Sequence, residues 1–470
     1  MNTSIIRIEN IEIENFKNVK YGSICLENQR KNYKASILGL YGQNGSGKTA
    51  LIDSLSLLKH LLMGQPVPSK FAECINVDAD KATFSFLFKI ICNNNDSIHN
   101  EYKVKYKFSI RKDIDENVSN LEQNKKFKVT IFNELLAASI KNTELKTRFT
   151  TLIDTDSLKV FKPVSKYKEL IGSNKNLETN LLVSKKITEK TSRSFIFSKE
   201  LLTAIQSHCS QVDYLNIYKA LVKYGNFELF IIDTAASGLI SINAGLPFAF
   251  TYEEKGQKSV GTFTLQLNGV SVIPKDALEI VKKSVASMNF VLKEIVPKLV
   301  IDVKKLGTQI QENGIETCII QLLSLKNNKV IPLQYESDGI KKIISILNLL
   351  INVYNKPSIT VAIDELDAGI FEYLLGELLR IIAEKGKGQL IFTSHDLRPL
   401  ETLDRGFIAF TTTNPEHRYI RLTNVKTNNN LRDFYYRDII LGEQNEPVYE
   451  PTNNSDIALA FKEAGVYLGA

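Results

Sequence analysis

The sequence predicts an α/β fold: a mixed sheet organised around a glycine-rich strand–loop–helix unit, an antiparallel β subdomain beside it, and an inserted, largely helical subdomain. Three observations predict it. The run Gly42-Gln43-Asn44-Gly45-Ser46-Gly47-Lys48-Thr49 fits G-x-x-x-x-G-K-[ST] at every fixed position. It lies between an apolar strand-like run, Ala35 to Tyr41, and a helix-like run, Ala50 to Leu62, the context that gives the pattern its meaning. Far downstream, two more buried-strand runs end in reactive residues: Ile359 to Ile363 in Asp364-Glu365, and Gln389 to Thr393 in Ser394-His395.

The elements follow in order. Residues 4–16 alternate apolar and polar (Ile6, Ile8, Ile11, Ile13), as a half-buried strand does, and Ser23 to Leu26 continues as a second. The glycine loop and its helix come next. Period-two patterns from Ala82 to Ile90 and from Tyr102 to Ile110 predict antiparallel strands around a polar turn, Asn93 to Asp96. Lys125 to Asn133 is a further strand. From about 134 to 250 the pattern is mixed and lysine-rich, with helices near Lys199–His208 and Tyr214–Tyr224. Regularity returns with a strand at Thr262–Leu267, a helix at Lys275–Leu292, strands at Lys298–Val303 and Thr317–Leu325, and an apolar helix at Ile343–Val353. No heptad register is sustained, and no repeat of 20–50 residues stands out. The chain divides into residues 1–115, an insertion over 116–255, and residues 256–470.

The glycine loop carries a definite chemistry. Backbone N–H groups of such a loop wrap a polyphosphate, and the helix N-terminus adds its positive end. Gly42, Asn44, Gly45, Ser46 and Gly47 form the cradle; Lys48 reaches the β- and γ-phosphates, and the Thr49 hydroxyl sits on Mg²⁺. A strand-end acid such as Asp364 holds the same Mg²⁺ through water, and Glu365 next to it can take a proton from an attacking water. His395, one of five histidines, stands where a neutral imidazole can bond the γ-phosphate or that water. In Glu336-Ser337-Asp338-Gly339, Ser337 is a helix N-cap and Gly339 permits close backbone approach to a ligand.

Bulk composition narrows the class. At 470 residues, with 43% hydrophobic and 24% charged residues, the chain can build more than one core. No apolar run approaches the ~20 residues of a membrane span, and Met1 to Asn15 has no apolar signal-peptide core. Cys25, Cys74, Cys92, Cys209 and Cys318 are dispersed, which reads as reduced thiols in a cytoplasmic protein. The net charge of +7 is uneven: residues 101–200 hold 21 Lys and Arg against 13 Asp and Glu. Such a face attracts nucleic acid or an acidic protein, and a solvated lysine-rich surface carries the same signature. Tyr102, Tyr106, Phe108 and Phe127 interleave with these lysines at strand-like spacing, which also suits core positions.

Taken together, these motifs resemble the ABC-type ATPase head of the SMC and Rad50 proteins, a P-loop NTPase, in their order: Walker A, a long insertion, a signature, Walker B with a catalytic Glu, and a switch histidine. More closely, the chain resembles compact prokaryotic ATPases of the AAA15/AAA21 type, in the opening Ile11-Glu12-Ile13-Glu14-Asn15-Phe16-Lys17-Asn18 and in Glu336-Ser337-Asp338-Gly339. The resemblance spans roughly 4–115 and 260–410. It implies ATP and Mg²⁺, with Asp364 as the Walker B acid, Glu365 as the base, His395 as the switch and Asp367 in a D-loop. It further implies that Ser337 and Gly339 contact the γ-phosphate held by a second protomer, so that a homodimer or higher homo-oligomer closes through an ATP sandwich. The signature lacks the leading Leu and paired glycines of transporter ATPases, which argues against a transporter subunit. The glutamine of the loop that senses Mg²⁺ in those families is not assigned a position from the sequence; Gln123 has poor context.

Members of this group often serve two-gene anti-phage systems (PARIS, Septu, overcoming-lysogenization-defect), where the ATPase controls a nuclease or toxin. After His395 no acidic pattern of a Toprim nuclease follows, and the tail after Leu422, with Asn424, Asn428, Asn429 and Asn430, reads as loop and a short element. The expectation is therefore an ATPase scaffold with a separate effector protein. The alternative is a Rad50- or SMC-like DNA-repair ATPase using the basic insertion. A third reading, small-molecule phosphorylation, has no use for the signature element.

Overall fold

The computed structural model describes residues 3–27, 34–93, 99–115, 127–141, 147–241, 245–254, 257–266, 269–311, 314–327, 329–423, 430–442 and 444–467. Asn94 to Asp96 of the expected turn, Gln123, and Asn424, Asn428 and Asn429 fall outside them.

The N-terminal alternation builds the second strand of an antiparallel sheet. Thr3–Phe16 pairs with Val19–Cys25 on one side and Lys81–Asn93 on the other. The register shifts between Ile8 and Asn10, and this one-residue irregularity changes the parity of the inward positions. Ile6 and Ile8 before it, and Ile11 and Ile13 after it, are all buried. The sheet continues through His99–Ile114, Phe127–Lys141 and Thr150–Asp154. Phe84, Phe86 and Phe88 face inward with Tyr102, Tyr106 and Phe108, and the Phe84 and Phe108 rings stack at 5.1 Å. The aromatics among the lysines are thus core residues. Lys103 and Lys105, on the opposite parity, pair with Glu9 at 2.8 Å and Glu12 at 3.9 Å.

The second sheet positions the site. Its order is Tyr419–Ile420, Ile408–Thr411, Ser36–Tyr41, Gln389–Thr393, Thr360–Ile363, Leu229–Ile232, parallel except for the first pair. Every residue of the three central strands is buried, because helices cover both faces and leave no polar side to alternate. Buried Gln389 joins the two sheets: its amide donates to the Ile8 carbonyl and accepts from the Ile8 N–H, each at 2.8 Å.

Helices of the 116–255 stretch occupy Val164–Phe227 and Thr234–Ser241. On the N-terminal side of the first group, strands extend the antiparallel sheet; on the C-terminal side, Leu229–Ile232 forms the edge of the parallel sheet. A four-residue apolar run fits a buried strand and a helix segment alike, and periodicity does not separate the two. The remaining lobe has the Lys275–Ile295 helix beside a sheet of Ser271–Pro274, Val300–Ile310, Glu316–Lys326 and Lys329–Pro332. The last helix, Asn454–Tyr467, buries no residue. No helix among the described residues is long and apolar enough to cross a membrane.

Candidate active site

Register brings the three motif-bearing strands level. Leu40 lies beside Thr393, and Phe392 beside Ile363, so the glycine loop, Ser394-His395 and Asp364-Glu365 leave adjacent strands at the same end, where parallel sheets place ligands. The loop needs its first glycine: Gly42 has φ 149°, and a Cβ there would lie 1.8 Å from the Thr411 hydroxyl. Gly47 then caps the Lys48–Leu62 helix in the left-handed region, Asn44 and Gly45 are exposed, and Thr49 is half-buried. Ser46 is buried and donates to the Gln43 carbonyl at 2.6 Å. The Lys48 ammonium crosses the loop, donating to the carbonyls of Gly42 at 2.8 Å and Gln43 at 3.0 Å. Burial pulls its pKa below the ordinary lysine value, opposed by the negative charges of Asp364, Asp367 and Glu365. That opposition places Lys48 in the field of the acidic cluster.

A ring of residues fixes the loop from outside, most of it invisible in sequence. Asn18 donates to the Gly45 carbonyl. Arg418 holds the Asn18 and Thr412 carbonyls at 2.6 Å each, and the Tyr419 hydroxyl donates to Gly47 at 3.0 Å. The Gln43 side chain accepts the Glu450 N–H at 3.0 Å. Asn18 lies only 27 residues from Gly45, but the Arg418–Asn18, Tyr419–Gly47 and Glu450–Gln43 contacts span 400, 372 and 407 residues and carry no local pattern.

Asp364 is 1% exposed. Its two oxygens accept from the Thr234 hydroxyl at 2.6 Å and the Thr393 hydroxyl at 2.5 Å. Glu365 adopts φ 51°, and its N–H donates to the same Thr393 hydroxyl at 2.8 Å. Among the described residues none hydrogen-bonds its carboxylate. Asp367 accepts the backbone N–H groups of His395 and Asp396, each at 3.0 Å, through one oxygen. Its other oxygen is buried without a hydrogen-bond partner. The His395 side chain is exposed.

The Ser337 segment lies against the Asp367 loop. Ser337 caps the Asp338–Asn355 helix by accepting the Ile340 N–H, and a Cβ on Gly339 would stand 2.3 Å from the Gly369 carbonyl. The close backbone approach expected at Gly339 is thus made to the protein's own chain. One turn on, Lys342 is buried; burial lowers its pKa against the raising influence of Asp367, Glu365 and Asp364. A helical face of apolar spacing gave no reason to single it out. No hydrogen bond or ion pair among the described residues joins Ser337 or Gly339 to residues 42–49.

The model of the AAA_15 family, AAA ATPase domain, matches residues 7–397. The chain belongs to this family. It is an ATPase, and its α/β architecture with mixed sheets matches the expected α/β class. No curated protein sequence matches it. Solved structures similar to this AAA_15 ATPase include an Smc head bound to the C-winged helix domain of ScpA, at 12% identity and TM-score 0.36, covering 89% of this chain and 98% of that one. The SMC head domain from Thermotoga maritima aligns at 13% and 0.34, covering 88% and 99%. The recombination mediator RecF with ATP aligns at 15% and 0.32, covering 83% and 94%. At these scores the likeness is loose.

The residues present suit Mg-ATP. The donors are hard oxygens, the preference of Mg²⁺, which keeps several waters and uses one or two carboxylates. The unpartnered buried oxygen of Asp367 leaves unused acceptor capacity beside them. Lys48 and the Gly47 helix N-terminus supply the complementary positive charge.

Proposed function

We propose that this AAA_15 ATPase closes as a nucleotide-bound homodimer or higher homo-oligomer, hydrolyses ATP at sites completed by a second copy, and in that state controls a separate effector, a nuclease or toxin, in anti-phage defence. Within one chain, Gly42 to Thr49 bind the phosphates and Lys48 neutralises their charge. Thr49 and Asp364 hold Mg²⁺, which when bound offsets the charge developing on the β- and γ-oxygens. Glu365 takes the proton of the attacking water, and His395 bonds the γ-phosphate. Ser337 and Gly339, with Asp367 behind them, serve the neighbouring copy's nucleotide.

The single observation carrying this reading is the position of the Ser337–Gly339 segment: exposed at Ser337 and Asp338, half-buried at Gly339 where it packs on the Asp367–Gly369 loop, and among the described residues outside the hydrogen-bond network of its own phosphate loop. Apolar surface around it supports an interface. Tyr335, Phe371 and Tyr373 are 70%, 71% and 55% exposed. The Asn454–Tyr467 helix, reached four residues beyond the Glu450 contact to the phosphate loop, presents Ile457, Ala460, Phe461 and Ala464 at the spacing of one helical face. A two-fold assembly repeats each contact, doubling the area covered. Size-exclusion chromatography of Glu365→Gln with Mg-ATP tests the reading: a shift to a dimer or larger species supports it, and an unchanged elution volume sinks it. The effector and the defence role rest on the resemblance to AAA15-type ATPases, and a neighbouring nuclease or toxin gene whose product co-purifies is their test.

The basic stretch 101–200 favours a second reading, a DNA-repair ATPase. Many of its cations are already paired, including Lys103, Lys105, Lys112 and Lys166, and its aromatics Tyr102, Tyr106 and Phe108 are buried, which weakens a nucleic-acid platform. Hydrolysis measured with and without duplex DNA separates the two: strong, salt-sensitive stimulation supports repair, and indifference supports the effector-controlling switch.

A further inference from the structure

We infer that Thr393 is a positioning residue for hydrolysis: its one hydroxyl aligns the metal-holding acid and the neighbouring base together, and Thr234 completes the hold from the other side. Register places Asp364 between two flanking residues, Thr393 on one strand and Asp233 on the other, with Thr234 next in the chain. Each oxygen of Asp364 takes one hydroxyl hydrogen bond, from Thr393 at 2.5 Å and Thr234 at 2.6 Å. A carboxylate offers about four lone-pair sites, so two stay available for a hydrated cation.

A threonine hydroxyl has a single hydrogen. Thr393 spends it on Asp364 and therefore presents its lone pairs to the Glu365 N–H at 2.8 Å. The direction of both bonds is fixed by that one proton. Glu365 needs the anchor, since φ 51° in a non-glycine residue costs on the order of 1–3 kcal/mol unless surroundings enforce it. Asp364 is held by two hydroxyls, whereas among the described residues none hydrogen-bonds the Glu365 carboxylate. Two residues past Thr393, the His395 and Asp396 N–H groups return to Asp367. With the Leu366 N–H donating to the Thr393 carbonyl at 3.0 Å, the end of the Gln389–Thr393 strand is laced to each of residues 364–367. A shift of His395 on meeting a γ-phosphate is passed to the acid and the base through Thr393.

The inference rests on Asp364 holding the metal, so the test carries its own control. Binding of a fluorescent ATP analogue is measured in EDTA and in Mg²⁺, with hydrolysis and thermal unfolding, for wild type, Thr393→Val, Thr393→Ser, Thr234→Val and Asp364→Asn. Asp364→Asn loses the Mg²⁺-dependent gain in affinity if the metal assignment holds; if it keeps the gain, that assignment fails. For Thr393→Val we expect EDTA affinity within about twofold of wild type, a Mg²⁺-dependent gain reduced roughly tenfold, and kcat reduced about 10–100-fold. Thr393→Ser restores both to within a few-fold, because the hydroxyl returns. Thr234→Val, at an exposed position, gives a smaller loss of the gain and serves should Thr393→Val unfold. The proposal is overturned if Asp364→Asn loses the gain while both valine variants keep it with wild-type kcat, or if serine rescues nothing.

Discussion

Replacing Gly339 by Ala tests the trans site at its tightest point. The added methyl would sit 2.3 Å from the Gly369 carbonyl oxygen, where ordinary contact is 3.4–4 Å. Both partners are backbone, so no side chain can swing away, and the Ser337 helix start must separate from the Asp367–Gly369 loop by roughly 1 Å, at the 1–3 kcal/mol typical of overpacking. Against a stability of about 5–15 kcal/mol the protein still folds. Catalysis is more sensitive than stability, because a displacement near 1 Å of a positioning element costs about a hundredfold in rate. We therefore expect Gly339→Ala to lower kcat about a hundredfold and Tm by a few degrees. Affinity for a fluorescent ATP analogue in dilute monomer should stay within about threefold, since the phosphate loop is untouched. Steady-state hydrolysis, equilibrium binding and thermal unfolding on one preparation give all three. Wild-type turnover, or a loss of monomer binding equal to the loss of turnover, would refute the separation of cis binding from trans completion.

Lys48→Ala removes the ammonium that crosses the phosphate loop, and nucleotide affinity should fall about 10–100-fold in a direct titration. Glu365→Gln keeps binding, abolishes turnover, and should hold the closed assembly for light scattering to weigh. Lys59, over the Phe230 ring at 5.5 Å, has its pKa drawn down to about 8 by burial. Between that value and the ordinary ~10.4 the unfolded chain binds more protons, so this group makes stability rise with pH there and imposes a constant penalty below it. Lys59→Met should stabilise by about 1–3 kcal/mol at pH 7, partly offset by the lost ring contact, and the gain should vanish by pH 10 in denaturant titrations. Glu134 is buried and accepts from the Tyr106 hydroxyl at 2.8 Å, the Phe195 N–H at 2.7 Å and the Ser194 hydroxyl; Glu134→Ala should cost about 3 kcal/mol with ATP affinity unchanged.

What sequence could and could not convey follows from range. The phosphate loop, Asp364-Glu365 and Ser394-His395 were legible because each sits at the end of an apolar run whose length announces a buried strand, and strand ends are where parallel sheets present chemistry. The alternation of Ile6, Ile8, Ile11 and Ile13 gave an antiparallel strand, although only the structure shows the shift at Ile8–Asn10 that turns both pairs inward. Leu229–Ile232 was missed because a short apolar run fits strand and helix alike and no nucleotide-binding motif marks its end, and with it went Thr234. Thr393 was in plain view inside a recognised strand. Its role depends on a neighbour 29 residues away, and hydrogen bonds across strands leave no mark on spacing. Lys342 was hidden for the opposite reason: it occupies a helix whose apolar face explains the pattern without it.

The acidic cluster carries more than metal binding needs. Asp364, Glu365 and Asp367 all act on Lys48 from one side and Lys342 from the other. Both lysines are buried, and burial lowers their pKa values while the three acids oppose that shift. Lys48 belongs to the glycine loop and Lys342 to the helix that Ser337 caps, so the acids act on both the element proposed to hold nucleotide in cis and the element proposed to complete the site in trans. Removing negative charge there weakens both at once. Asp367→Asn, which keeps an oxygen to accept the His395 and Asp396 N–H groups, should therefore reduce cis nucleotide affinity less than it reduces nucleotide-dependent assembly. An equal loss of both would mean that Asp367 acts only through the phosphate loop.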